Sequence, residues 1–103
     1  MARYIMEVVS RALPGRDADY VDWYVSTHIG EVCELDEIES GKLQSRIGTD
    51  GKATGEYVAH YVVETADPAA LVQTLFAAAA TMKMTDAIDM ESVRFSFLDQ
   101  LGA

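Results

Sequence analysis

A chain of 103 residues with a net charge of −9 has room for one domain and no more. Half of its residues are apolar, enough for a core, yet a chain this short leaves much surface that association would cover. The acidic balance argues against nucleic acid and against an anionic membrane as partners, because both are gripped by Lys and Arg.

The N-terminal stretch Met1-Ala2-Arg3-Tyr4-Ile5-Met6-Glu7 lacks the long apolar run of a secretory signal, and a cytoplasmic protein is expected. Residues 3–12 predict a first strand, rich in Tyr, Ile, Met and Val and stopped by Leu13-Pro14-Gly15. A helix is expected over residues 17–35, with Asp17 and Asp19 in its first turn, where acidic groups suit the helix dipole. Gly30 inside it costs roughly 1 kcal/mol relative to Ala and predicts a bend or break just after His28. Cys33, the only cysteine, permits neither an internal disulfide nor a thiolate metal cluster, and is placed on the polar side near the helix end. A second strand is expected over residues 39–47, then a hairpin loop marked by Asp50-Gly51, then a strand over residues 56–65. Asp67-Pro68 opens a second long helix, with Leu71, Val72, Leu75, Ala79 and Met82 on one face, ending near Lys83. The Ala77 to Ala80 run within it is too short to cross a membrane. Residues 91–98 form the last strand.

The order β-α-β-β-α-β is that of the α+β, ferredoxin-like plait: a four-stranded antiparallel sheet with two helices on one face. Two helices leave the other face bare, and it should then be polar. The pattern instead puts apolar residues on both faces: Tyr57, Ala59, Tyr61 and Val63 alternate with Val58, His60 and Val62, and Tyr4, Met6 and Val8 with Ile5 and Val9. A homodimer, sheet against sheet, is the simplest way to cover such a face.

His28 draws attention because the helical stripe of Val21, Val25, Val32 and Leu35 includes it. A titratable imidazole pressed toward a core needs a partner, and it is the side chain best suited to move a proton near neutral pH. Tyr24 and Tyr20 lie on the same face, one and two turns earlier, so all three are expected to border one cavity. Trp23 points away from the stripe and is expected at an interface or surface. His60 and Tyr61 face opposite sides of one strand, and the sequence does not say which looks toward the helices. Arg46 and Arg94 are expected to pair with glutamates. No phosphate loop, metal-ligand spacing or nucleophile elbow occurs, so no metal or organic cofactor is expected.

The run Tyr20…Trp23-Tyr24-x-x-x-His28-Ile29-Gly30, with the phrase Tyr57 to Ala69 leading from strand to helix, resembles the EthD-like members of the dimeric α+β barrel superfamily. Those proteins commonly carry Pro where this chain has Gly30. The resemblance implies one dimeric α+β barrel domain over residues 1–103 with a pocket between helices and sheet. Relatives include polyketide cyclases, lactone isomerases and cofactor-free monooxygenases, and a few bind haem. The resulting expectation is a cofactor-independent enzyme acting on a small apolar carbonyl-bearing or aromatic molecule. His28 and Tyr24 would be catalytic, and Tyr20, Tyr61, His60 and Trp23 would hold the substrate. The other reading is a non-catalytic small-molecule binding or auxiliary protein of a catabolic or biosynthetic pathway.

Overall fold

The computed structural model describes residues 2–102. Four strands, β1 (Ala2–Ala12), β2 (Ile38–Ile47), β3 (Ala53–Thr65) and β4 (Ile88–Leu98), form one sheet in the order β2-β3-β1-β4, with every pairing antiparallel. The helical parts are α1 (Asp17–Trp23), a π-helical turn (Tyr24–His28), α2 (Ile29–Val32) and α3 (Pro68–Ala79). This is the α+β plait expected from the sequence. Gly15 and Gly51 both adopt positive φ, +76° and +82°, at the turns anticipated for them, where a side chain would be strained. Asp67 caps α3 by accepting the Ala70 N–H at 3.2 Å, and Pro68 fills the first helical position, where no N–H is needed.

The core lies between sheet and helices. Met6, Val8, Ala59, Tyr61 and Val63 from the sheet meet Tyr20, Trp23, Tyr24, Val32, Leu71 and Leu75 from the helices. The opposite face of the sheet carries Ile5, Val9, Val58, Val62 and Leu98 around a central Glu7–His60 pair, whose N···O distance is 2.9 Å. Arg46 pairs with Glu56 at 2.6 Å, as expected. Arg94 is exposed on the second face, and among the described residues it forms no ion pair.

Two details of the helices depart from expectation. The first helix stops being α-helical at Trp23 and ends at Val32 rather than residue 35; α3 ends at Ala79 and gives way to turns through Met82. Cys33, expected on the polar side, is half-buried against the core, and burial pushes its thiol pKa up. The β1–β4 register shifts between Val9 and Arg11, so β4 bulges outward opposite Ser10.

Candidate functional site

The π-helical turn builds the site. Ile29 N–H bonds to Tyr24 C=O, an i→i+5 link that lodges one extra residue in the turn. In an α-helix Trp23 and His28 would sit about 140° apart around the axis. Across the wider turn they come over one another: the indole and imidazole rings stack with centroids 4.3 Å apart and planes 22° from parallel. The local cause is visible in Ser26, whose hydroxyl donates to Asp22 C=O at 2.5 Å and competes with the regular ladder. The same widening turns Val25 out, leaving it 61% exposed, and brings Trp23 in, to 8%. Both placements reverse the reading made at a uniform 100° per residue. Trp23 is fixed further by donating Nε1–H to Lys83 C=O at 2.7 Å.

A cavity of about 90 Å³ opens between these rings and the sheet. Ser10, Trp23, Tyr24, His28, Val32 and Tyr61 form its inner wall, while α3, the following loop and β4 supply Leu75, Phe76, Met82, Met84, Met90 and Phe95. Tyr24 crosses the His28 ring edge-on at 4.9 Å. The Tyr61 hydroxyl donates to the Tyr24 oxygen at 3.4 Å, which leaves the Tyr24 proton to be given elsewhere. Tyr20 does not line the cavity. It stands behind Ser10, to which its hydroxyl is hydrogen-bonded, and stacks on Tyr57 at 4.8 Å. His60 lies on the far face of the sheet with Glu7, so it does not share the cavity with His28; of the two neighbours on β3, Tyr61 is the one that looks toward the helices.

Burial governs the chemistry. It pulls the His28 imidazolium down to a pKa of about 4, with the Glu31 carboxylate pulling weakly the other way, so the ring is neutral at physiological pH. Its Nδ1 is buried without a hydrogen-bond partner. Burial likewise drives the Tyr24 and Tyr61 hydroxyls well above the ordinary phenol range, and Tyr20 to about 12, so all three remain protonated donors. A neutral base and the protonated Tyr24 and Tyr61 phenols therefore face an apolar, uncharged space. Among the described residues, no three His, Cys, Asp or Glu side chains gather as a metal site would require.

Three contributors were not picked out from the sequence. Ser10 is one, brought to the wall where β4 bulges. Gly41 is another: it sits opposite Tyr61 across the β2–β3 pair, and a Cβ there would overlap the Tyr61 ring. Its only sequence signal is a glycine inside a strand, which marks close approach by a neighbour. The third is the group of Phe76, Met84 and Met90 at the cavity mouth.

No protein-family model matches the chain, and no curated protein matches it. Among solved structures, it is similar to an ethyl tert-butyl ether d (EthD) family protein from Bacillus halodurans, with a TM-score of 0.61 and 11% identity over 95% of this chain and 99% of that one. The chain has an EthD-like α+β fold.

Proposed function

We propose that the protein is a cofactor-independent enzyme of the cyclase, isomerase or monooxygenase type, working as a homodimer on a small, largely apolar, carbonyl-bearing molecule. The observation that carries this reading is the buried, unpartnered nitrogen of a neutral imidazole beside a phenol with a proton to give. His28 takes a proton from the carbon next to the carbonyl. The electron pair left behind moves onto the carbonyl oxygen, and the Tyr24 hydroxyl, backed by Tyr61, donates a hydrogen bond to it. An imidazole with a pKa of about 4 is by itself a weak base. The enolate forming beside it supplies the negative charge that the cavity lacks and stabilises the imidazolium as it forms. Returned to another carbon, the proton completes an isomerisation; attack by the enolate on a second carbonyl closes a ring.

The test is exchange of solvent deuterium into the α-carbons of 2-butanone, followed by NMR. The wild-type protein is expected to speed exchange, and His28→Ala to slow it by ~10² or more, the usual worth of a positioned acid–base group. Equal exchange rates in the two proteins would overturn the reading.

A further inference from the structure

We propose that the cavity is the inner end of a longer site for uncharged, single-tailed molecules, bound with the oxygen inward and an apolar tail leaving over Phe76, Met84 and Met90. This rests on reading the cavity as a small-molecule site.

Size comes first. About 90 Å³ is less than the ~150 Å³ void that takes a benzene ring, so any ligand larger than a few carbons must protrude. Direction comes second. The hydroxyl-bearing residues Ser10, Tyr24 and Tyr61 are each at most 2% exposed, so the hydrogen-bonding groups stand at the closed end. The mouth is the reverse: Phe76, Met84 and Met90 line the cavity yet are 53%, 42% and 60% exposed. Phe76 meets Phe95 edge-to-face at 5.4 Å, which makes the rim continuous with the interior wall. Methionine is unbranched and adapts to tails of differing shape. Charge comes third. No Asp, Glu, Lys or Arg lines the cavity, so a carboxylate would lose its water and find no cation in return.

The experiment titrates the protein with methyl ketones from 2-butanone to 2-decanone and follows the fluorescence of Trp23, the only tryptophan, which lines the cavity. The dissociation constant is expected to fall about two- to fourfold per added methylene along the whole series, from the apolar area covered. Nonanoate at pH 7 is expected to bind at least ~100-fold more weakly than 2-decanone, because its charge goes unpaired. Phe76→Gln and Met90→Gln change exposed side chains, and both should flatten the gain for long chains. A dissociation constant that stops falling after the first few carbons, nonanoate binding as tightly as the ketone, or an unchanged series in both variants would overturn the proposal. His28→Ala should keep the chain-length dependence while losing deuterium exchange, so failure of this inference and failure of the catalytic reading are separately visible.

Discussion

His28 gains a buried place and a stacked neighbour at the expense of its affinity for protons. In the unfolded chain its imidazole takes a proton near pH 6.5, whereas in the folded protein it resists until about pH 4. Between those values the unfolded state binds more protons, so stability falls as the pH falls; above pH 6.5 this residue contributes no pH dependence. Discounted for the partial exposure of the ring, the loss by pH 4 is on the order of 2 kcal/mol. Comparing urea midpoints of wild type and His28→Leu at pH 7 and pH 4.5 isolates this loss, since the carboxylates are common to both proteins. The wild type is expected to lose more stability than the variant, and an NMR titration of the ring should have its midpoint near pH 4; an ordinary midpoint near 6.5 would refute the buried placement. Gly41 is equally specific. Any side chain there must displace the buried Tyr61 ring, so Gly41→Ala is expected to cost ~1–3 kcal/mol by overpacking. Most of that cost should vanish in a Tyr61→Leu background. Equal costs in both backgrounds, read from denaturant midpoints, would separate Gly41 from Tyr61.

At the scale of elements, the first helix and the loop after α3 act on each other through one residue. Lys83 gives its C=O to the Trp23 indole, and its N–H donates to the Glu31 carboxylate at 3.1 and 3.2 Å. The loop that brings Met82 and Met84 to the cavity is thus clamped to the turn that holds His28. Glu31→Ala is expected to speed hydrogen exchange at the Lys83 amide and to move the His28 midpoint lower still, because the carboxylate is what raises it. An unmoved midpoint would rule out that coupling. Much of this architecture was legible beforehand. The alternation in β3, the turn glycines Gly15 and Gly51, and the Asp67-Pro68 helix start are local signals, each written in a few neighbouring residues. The π-helical turn was not legible, because a periodic reading assumes i→i+4 spacing throughout. One extra residue was enough to exchange Val25 and Trp23 between solvent and core. The orientation of β3 was also undecided, since both of its faces are apolar. Tyr61 turns toward the helices, where Gly41 leaves room for its ring, and that pairing exists only once β2 and β3 are aligned.

The whole molecule has more surface than its mass calls for. A folded monomer of 11.3 kDa is expected to expose roughly 5,700 Å², whereas this chain exposes 6338 Å². Leu101 in the C-terminal tail is 93% exposed, and the open sheet face adds apolar surface of its own. On that face Ile5, Val9 and Val62 are only half-buried although β1 and β3 are flanked by hydrogen-bonded neighbours on both sides, and Leu98, on the edge strand β4, is 45% exposed. A standard interface covers ~800 Å² of each partner, a demand that one sheet face of four strands is large enough to meet. The proposed homodimer would enclose the Glu7–His60 pair between two sheets, where a hydrogen-bonded pair is tolerable and a lone charge is not. Val62→Asp would put one unpaired carboxylate from each copy into that space while leaving the helix-facing core untouched. Sedimentation velocity at micromolar concentration is expected to show a dimer for the wild type and a monomer for Val62→Asp, with matching far-ultraviolet circular dichroism. The melting temperature of the wild type should also rise with protein concentration, as mass action requires when folding and association are linked. A wild-type protein that sediments as a monomer, with a melting temperature independent of concentration, would leave the second sheet face to solvent and remove the basis for the dimer.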